Sequence, residues 1–321
     1  MRILITGGFG FVGGRLAVHL VQAGHQIVLG SRNPAIPPSW LPQAEASQIK
    51  WDDDRALEHR CNDVDVVIQA AGMNAQDCAA DPVAALAFNG VATARLVAAA
   101  SRAGVQRFIY LSTAHVYTSP LVGTITEDTC PRNLHPYATS HLAGEHAVLR
   151  ASQHGKMQGI VLRLSNAFGA PVHKDVNCWM LLVNDLCKQA VQTRKLVLQS
   201  SGLQQRDFVG MSGVCRVAEY IAVGHGASMQ PGVFNVGVGV SQSVFAMAQL
   251  IQQRCMQVLG FEPTLQRVQG EVDEQHPVLT YRADNLAALG INFNSLDNSV
   301  EIDSLLRFCQ STFTQAQGHS A

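Results

Sequence analysis

The sequence predicts an α/β fold in which a doubly wound parallel sheet is followed by a smaller C-terminal lobe. Strand and helix signals alternate through the first half, the first strand runs directly into a glycine-rich turn, and the pattern becomes less regular after residue 164. We therefore divide the chain of 321 residues into a sheet domain, residues 1–164, and a lobe, residues 165–321, that interleaves with the sheet.

The first thirteen residues carry the strongest single signal. An apolar run at 2–6 is typical of a buried strand, and four glycines follow within residues 7–13, where an apolar run typical of a helix begins. Glycines allow a sharp turn and a close approach to a pyrophosphate, whose charge then faces the helix N-terminus. The strand before the glycine-rich turn and the helix after it favour dinucleotide binding over a tight turn without a ligand. The predicted cofactor contacts here are Gly7, Gly10, Phe11, Val12 and Gly13.

The later elements follow in alternation, each strand being a short apolar run and the helices being alanine-rich or beginning at a proline. Further strands are predicted at 25–30, 49–51, 64–69, 107–112 and 160–164. Helices are predicted at 89–103 and 136–153, and a frayed polar tail at 315–321.

Composition narrows the class of protein. A hydrophobic content of 47% with 15% charged residues describes a soluble globular protein with a substantial core. The net charge of −1, without a long basic run, argues against a nucleic-acid or membrane partner. Eight scattered cysteines without a CxxC pair favour reduced thiols over a disulfide framework or a metal site. With no room for a signal peptide before the first strand and no long apolar run, we expect a cytoplasmic protein.

Several motifs occur in a fixed order along nearly the whole chain. They lie at 6–13, 70–72, 112–117, 137–145, 163–171, 206–209 and 234–237. Together they resemble the extended short-chain dehydrogenase/reductase family, which includes nucleotide-sugar epimerases, dehydratases and reductases. The resemblance implies a Rossmann-type sheet, a nicotinamide cofactor and a nucleotide-diphosphate sugar as the substrate.

The resemblance also implies roles for particular residues. Tyr137, which follows Pro136 on the helix after the fifth strand, matches the general acid/base that hydride transfer at a carbonyl requires. Thr113 matches the residue whose hydroxyl holds the reacting oxygen. The alternative for Tyr137 is a packed helix tyrosine. The segment beside the nicotinamide ribose would be Ala70, Ala71 and Gly72.

One position departs from the family pattern. The lysine expected four residues after the tyrosine is replaced by His141, which shares a helix face with Tyr137. The lysine would bind the ribose and lower the pKa of the tyrosine. Histidine can donate to the ribose but is largely neutral at pH 7. We therefore expect weaker activation of Tyr137 or activity favoured at lower pH, and the alternative is a non-catalytic member.

The end of the second strand bears on cofactor choice. NAD-preferring proteins place an acid there, whereas this chain has Ser31 and Arg32. A guanidinium suits a 2′-phosphate, so NADP(H) is favoured, with NAD(H) possible and a solvated arginine as the alternative. Asp52, in a run of three aspartates, is a candidate contact to the adenine or a residue of a solvated loop.

The substrate side is less decisive. His115 replaces part of the Asp-Glu pair of dehydratases, which argues against a 4,6-dehydratase; it is either an acid/base facing the sugar or a structural residue. Arg206 is a candidate diphosphate contact or a partner of Asp207, and Asn166 binds the phosphates or caps a strand. The second arginine expected near the C-terminus is not evident in 271–277, which contains His276.

The sequence thus predicts NADP(H)-dependent oxidoreduction of a nucleotide-linked sugar, either reduction of a keto sugar or an epimerisation coupled to reduction. The alternatives are a 4-epimerase that retains NAD and a non-catalytic NADP(H)-binding protein. We also expect a homodimer, formed through the helix bearing Tyr137 and the alanine-rich helix before the fifth strand. Small residues suited to that contact, or equally to packing on the sheet, are Ala92, Ala94 and Ala98 to Ala100.

Overall fold

A seven-stranded sheet, parallel throughout, lies at the centre of the computed structural model, and helices cover both of its faces. The structure describes residues 1–155, 157–224, 230–268, 277–291 and 298–314. The predicted Rossmann-type doubly wound sheet is confirmed. The predicted tail at 315–321 and nearly all of the segment 271–277, with His276, lie outside the described residues.

The large sheet has the strand order β11-β7-β5-β4-β1-β2-β3, and three small sheets pair the remaining strands as β12-β10-β8, β13-β9 and β14-β6. The strands are β1 Arg2–Thr6, β2 Gln26–Ser31, β3 Glu45–Gln48, β4 Val66–Gln69, β5 Arg107–Thr113, β6 Gly123–Ile125, β7 Gln158–Leu164, β8 Asn166–Phe168, β9 Lys195–Leu198, β10 Gln205–Gly210, β11 Gly232–Val236, β12 Ser241–Ser243, β13 Thr264–Arg267 and β14 Leu279–Tyr281.

The longer helices pack on the two faces of the sheet and within the lobe, whereas the short ones lie in connections. They are α1 Phe11–Gln22, α2 Asp54–Cys61, α3 Ala75–Ala80, α4 Pro82–Ala85, α5 Thr93–Arg102, α6 Pro136–His154, α7 Leu182–Thr193, α8 Met211–Val223, α9 Val244–Leu259, α10 Asp284–Ala288 and α11 Asn298–Phe313. A π-helical turn, Leu86–Ala92, joins α4 to α5, and a 3₁₀ turn, Ala114–Val116, follows β5.

The third strand was predicted in the wrong place. It spans Glu45–Gln48, and only one further hydrogen bond, from Ile49 N to Ser31 O, continues the ladder towards the predicted 49–51. The chain then turns, because Asp53 accepts a hydrogen bond from Ala56 N and caps α2. A helix N-terminus therefore replaces the end of the predicted strand.

The helix predicted at 89–103 begins earlier and contains the π-helical turn. Within that turn Asn89 O accepts from the Thr93 hydroxyl at 2.7 Å, and the Asn89 side chain accepts from Met73 N at 2.9 Å. The continuous run Pro82–Arg102 is long and apolar enough, by length and composition, to cross a membrane, yet 50% of its most apolar window is buried inside the protein. The π-helical turn within this run is of a kind that is frequent at functional sites.

The carboxyl ends of the strands define where a ligand can bind. The order of the sheet reverses at β1, whose neighbours β2 and β4 place Gly30 and Gln69 directly beside Thr6. Open α/β sheets bind ligands in the crevice at such a switch point. Farther along the same edge, Thr113 pairs with Leu164.

The second half of the chain also completes the sheet. β11 pairs in parallel with β7, and α8 packs beside α1 on one face. The boundary drawn at residue 164 stays a prediction.

An ion pair joins the first long helix to the last. Arg15 on α1 donates to both carboxylate oxygens of Glu301 on α11, at 2.6 and 3.2 Å, and Glu301 also accepts from Ser212 N at 3.0 Å. Glu301 is buried, so these bonds satisfy a charge that has lost its contact with water.

Candidate active site

The glycine turn opens into a cleft of about 540 Å³, here called the glycine-turn cleft. Gly7 has a φ of +68°, and an added Cβ there would lie 2.8 Å from Ala71 N, so only glycine fits. Gly10 precedes the first turn of α1, which has no side-chain cap. The backbone N–H groups of this first helical turn therefore remain available to an anion. The predicted contacts that line this cleft are Gly7, Gly10, Phe11, Ser31, Arg32, Ala70, Ala71 and Gly72.

Gly13 and Val12 are not among the residues that line the glycine-turn cleft. Gly13 is buried, and an added Cβ would lie 2.3 Å from Gly7 O, so glycine allows α1 to pack closely on the turn. The contact of both residues with a pyrophosphate stays a prediction. Val12 lines the neighbouring cavity around Tyr137 instead of the glycine-turn cleft.

A second opening, here called the Trp51 recess, adjoins the outer end of the cleft and has a volume of about 760 Å³. Trp51 and Phe88 meet edge to face at 5.2 Å and line both openings. Asp52 lines the recess but not the cleft, and it is exposed. Three cationic side chains line the recess: Arg32, Lys50 and Arg95.

The inner end of the site is a cavity of about 340 Å³, here called the Tyr137 cavity. It brings Thr113 and His115, which lie two positions apart, together with Tyr137, Asn166 and Arg206 from distant parts of the sequence. Apolar side chains from the segment 180–183 and from β8 and β10 form the opposite wall. The cavity therefore combines groups for proton transfer with one cation.

Tyr137 is a protonated phenol in this environment. Burial raises its pKa to about 12, although a hydrogen bond with the Thr113 side chain acts in the opposite direction. The Thr113 hydroxyl also accepts from His115 N at 3.1 Å, which fixes its position at the end of β5. The two hydroxyl groups assigned to catalysis from sequence are thus in direct contact.

His141 lies one turn after Tyr137, with the two ring centroids 4.5 Å apart and the rings nearly perpendicular. Burial lowers the pKa of His141 to about 4, so the imidazole is neutral across the neutral pH range. Protonation of His141 could therefore favour activity only at pH values far below neutral. The ring borders the glycine-turn cleft, because an added Cβ at Gly72 would lie 3.8 Å from its Nε2.

The cavity residues assigned to the substrate differ in whether their polar groups already have hydrogen-bond partners within the protein. Arg206 is half-buried, and no residue in the described part of the chain accepts a hydrogen bond from its guanidinium. Burial and the Arg206 charge lower the pKa of His115, which keeps that imidazole neutral. Asn166 donates to Asp207 O at 2.9 Å, so its amide nitrogen holds β8 to β10. Asp207 is bound to Ser165, Val238 N and Gly239 N and does not pair with Arg206.

These features match a known family. The model of the NAD dependent epimerase/dehydratase family covers residues 3–237.

The chain belongs to this family.

Two curated relatives and one solved structure illustrate the likeness. The dTDP-6-deoxy-L-talose 4-dehydrogenase (NAD(P)(+)) of Kitasatospora kifunensis is 30% identical over 260 residues, covering 78% of each chain. The UDP-glucose 4-epimerase of Haemophilus influenzae is 28% identical over 283 residues, 79% of this chain and 82% of the relative. The Thermus thermophilus UDP-glucose 4-epimerase, solved with NAD, superposes with a TM-score of 0.78 at 19% identity, covering 97% and 99% of the two chains.

A dinucleotide fits the site of this epimerase/dehydratase family member. Gly7 allows the turn to lie against the backbone of Ala70 and Ala71, and the first turn of α1, which no side chain caps, offers its N–H groups beside the glycine-turn cleft. The cleft includes Gly72, and the His141 ring lies just beyond it, with its Nε2 3.8 Å from where a Cβ of residue 72 would stand. Proteins of this family bind NAD, so the predicted nicotinamide cofactor is confirmed at that level.

Four residues of the site were missed from sequence. Lys50 and Arg95 add positive charge to the Trp51 recess, and Asn89 and Tyr110 contact the residues around His141. Lys50 and Arg95 belong to separate elements, so nothing in their sequence spacing marks them as neighbours. Tyr110 could have been recognised from sequence, because a tyrosine hydroxyl buried on the central strand of a parallel sheet usually has a hydrogen-bond partner.

Proposed function

We propose that this family member is an NADP(H)-dependent oxidoreductase that reduces the carbonyl of a nucleotide-diphosphate sugar, alone or coupled to epimerisation. The observation that carries the proposal is the state of Tyr137. Its phenol is protonated, contacts Thr113 and has no fixed cation on the next helical turn, where His141 is neutral. A phenol in this state is suited to donate a proton to a carbonyl oxygen.

The proposed chemistry uses few residues. A reduced nicotinamide cofactor held by the glycine turn would provide the hydride that the carbonyl carbon accepts. Tyr137 donates its phenol proton to the carbonyl oxygen, the Thr113 hydroxyl holds that oxygen by a hydrogen bond, and Tyr137 regains a proton from solvent. An epimerisation coupled to reduction would need a proton removed from a carbon beside the carbonyl and another returned to the opposite face of that carbon. The neutral His115 can accept the first proton, and solvent water would supply the second.

Arg206 supports a phosphorylated substrate. A guanidinium in a cavity with a largely apolar wall needs an anion, since burial without a partner costs free energy. A diphosphate offers two or more oxygens in the geometry that a guanidinium binds in a fork. The carbonyl oxygen of the Asn166 side chain is free to accept a sugar hydroxyl, because the hydrogen bond to Asp207 uses its nitrogen.

The proposed preference for NADP(H) rests on charge. Arg32 follows β2 at the edge of the glycine-turn cleft, and Lys50 and Arg95 line the adjoining Trp51 recess. A 2′-phosphate at the junction of the two openings would meet up to three cations, although Arg95 also lies 3.7 Å from Asp54. No carboxylate follows β2 to accept from an unmodified ribose.

Titration of cofactor-stripped protein with NADPH and NADH tests the proposal. NADPH should bind more tightly, and Arg32→Ala should weaken NADPH at least tenfold while leaving NADH unchanged. Arg60→Ala, which removes an exposed arginine outside both openings, is the matched control. A preference for NADH, or cofactor that copurifies tightly, would favour the NAD-retaining 4-epimerase, which a 28% identical UDP-glucose 4-epimerase also supports. Failure to bind either nucleotide would favour the non-catalytic protein.

Screening of keto sugars tests the second half of the proposal. Oxidation of NADPH should depend on a nucleotide-diphosphate keto sugar, and the same sugar without its nucleotide should react poorly. Arg206→Ala should raise the KM for the nucleotide-linked sugar more than it lowers kcat. Equal KM values for the two sugars would remove the diphosphate role of Arg206.

A homodimer remains part of the proposal, with a changed contact surface. Ala92, Ala99 and Ala100 are buried within the subunit, in keeping with the alternative of packing inside the chain, whereas Ala94 and Ala98 are exposed. The same helical run also exposes Val83, Leu86 and Val91. Sedimentation of the wild type and of Leu86→Arg would show whether this face joins two copies.

A further inference from the structure

Tyr110 and His141 form a buried hydrogen-bonded pair on the wall between the sheet and α6. The Tyr110 hydroxyl lies 3.0 Å from His141 Nδ1, and the two residues are 1% and 6% exposed. Tyr110 comes from β5, three residues before Thr113, and its ring packs 5.8 Å from the imidazole. The strand that carries Thr113 thus also fixes the group that replaces the expected lysine.

The direction of this hydrogen bond follows from the other acceptors near Tyr110. Asn89 O lies 3.5 Å from the Tyr110 hydroxyl and already accepts from the Thr93 hydroxyl at 2.7 Å. The Thr93 hydroxyl oxygen in turn accepts from Gln69 Nε2 at 2.6 Å. His141 Nδ1 is therefore the best-placed acceptor for the Tyr110 proton. A neutral imidazole that accepts at Nδ1 carries its proton on Nε2.

The Nε2 side of the ring faces the glycine-turn cleft. A Cβ built on Gly72, which lines that cleft, would lie 3.8 Å from His141 Nε2 and 3.7 Å from Cε1. The space between the imidazole and the cleft is therefore open only because residue 72 is glycine. An N–H at this position can reach a hydroxyl group held in the cleft.

The groups packed around His141 supply no charge to it. Two of them are Tyr110 on β5 and Tyr137 on the preceding turn of α6. The others are Asn89 on the π-helical turn and the thiol of Cys78 on α3, which accepts a hydrogen bond from the Asn89 amide. Burial raises the pKa of each of the three titratable neighbours, so all are neutral near pH 7. The nearest carboxylate along α6, Glu145, is paired with Arg163.

We propose that Tyr110 is a positioning residue that holds His141 as the neutral Nε2–H tautomer, so that a hydrogen-bond donor, and not a cation, faces the nicotinamide ribose. The inference rests on the proposed function for the identity of the acceptor. Tyr110 would thus orient the His141 ring, whereas a lysine ammonium, which donates in three directions, would need no such partner. It also explains how the site can dispense with a charge yet keep a directed donor.

Nitrogen NMR of cofactor-free protein with labelled histidine tests the tautomer directly. The His141 signals would be assigned by their loss in His141→Gln. In the wild type at pH 7 we expect Nδ1 in the unprotonated range and Nε2 in the protonated range. Tyr110→Phe should produce a mixture of the two tautomers. A protonated Nδ1 in the wild type, or an unchanged tautomer in Tyr110→Phe, would overturn the inference.

Cofactor binding supplies the second readout. Loss of one directed hydrogen bond should weaken NADPH by about tenfold in Tyr110→Phe, which corresponds to about 1.4 kcal/mol. Tyr281→Phe is the matched control, because it removes an equally buried hydroxyl that bonds to Arg163 O and Asn235 instead. Equal affinity in wild type and Tyr110→Phe would contradict the inference. If the wild type binds no nucleotide, the proposed function fails, whereas the tautomer is decided separately by the NMR of the cofactor-free protein.

Discussion

Glu145 on α6 and Arg163 on β7 form a buried, bidentate ion pair. The guanidinium reaches both carboxylate oxygens, at 2.6 to 3.2 Å, and the Ser112 hydroxyl donates to the same carboxylate. Ser112 immediately precedes Thr113, and Glu145 lies two turns beyond Tyr137 on the same helix. The pair and the Ser112 hydroxyl therefore link β5 and α6, which carry the two hydroxyl groups proposed to act in catalysis.

Removal of one member of this pair should be costly. Glu145→Gln leaves the Arg163 charge buried and uncompensated, and we expect a loss of about 3–5 kcal/mol in the free energy of unfolding. The double variant Glu145→Met/Arg163→Met should be more stable than the single one. Urea denaturation measures both, and Glu58→Gln, in an exposed pair with Arg102, should cost less than about 1 kcal/mol. If Glu145→Gln were as stable as Glu58→Gln, the Glu145–Arg163 pair would not have the stabilising role described here.

Tyr137→Phe separates binding from proton transfer. Loss of the phenol proton should lower kcat by about 100-fold or more, the usual contribution of a positioned acid. The affinity for NADPH should change little, because the remaining ring keeps its contact with His141. Single-turnover kinetics and a binding titration check the two halves. A fall in affinity that accounts for the whole loss would mean that Tyr137 is a packing residue.

His141→Lys should change the pH dependence rather than only the rate. The wild-type imidazole, with a pKa of about 4, stays neutral from pH 6 to 9, so its titration leaves the reduction rate unaffected there. A lysine ammonium would favour the Tyr137 phenolate and lower the pKa of Tyr137 from about 12. The alkaline loss of reductase activity should therefore move to lower pH. His141→Gln is the neutral control, and coincident profiles for both variants would refute the charge argument.

Gly72→Ala should block the cofactor without unfolding the protein. The added methyl group would lie 3.5 Å from Asn89 Oδ1 and 3.7 Å from His141 Cε1, which are ordinary contacts. It would nevertheless stand between His141 Nε2 and the glycine-turn cleft. We expect an unchanged midpoint of thermal unfolding and at least tenfold weaker NADPH binding. Gly232→Ala, where an added Cβ meets no atom within 4 Å, is the control; unaltered binding in Gly72→Ala would place the ribose elsewhere.

The strand-turn-helix segment at the N-terminus was predictable because its signals are local. The apolar strand, the glycines and the apolar helix follow one another within about twenty residues, and Gly7 adopts the positive φ that glycine allows. The helix beginning at Pro136 was predictable for the same reason, since proline favours the first helical position.

The third strand and the environment of His141 were not predictable in this way. The chain leaves the sheet at Lys50 because the Asp53 cap competes with strand continuation, and the outcome depends on how α2 packs. The low pKa of His141 arises from burial among elements that are far apart in sequence. A single sequence shows that the lysine is missing, but not that Tyr110 stands opposite its replacement.

The Arg15–Glu301 ion pair has a consequence for truncated forms of the protein. It joins two helices whose paired residues are 286 positions apart in sequence. In a fragment that stops before α11, Arg15 loses its bond to Glu301, and the carbonyl of Ala170 at 2.7 Å is the partner that it keeps. Such fragments should therefore be less stable than the whole chain, and we expect cells to degrade them rather than accumulate them.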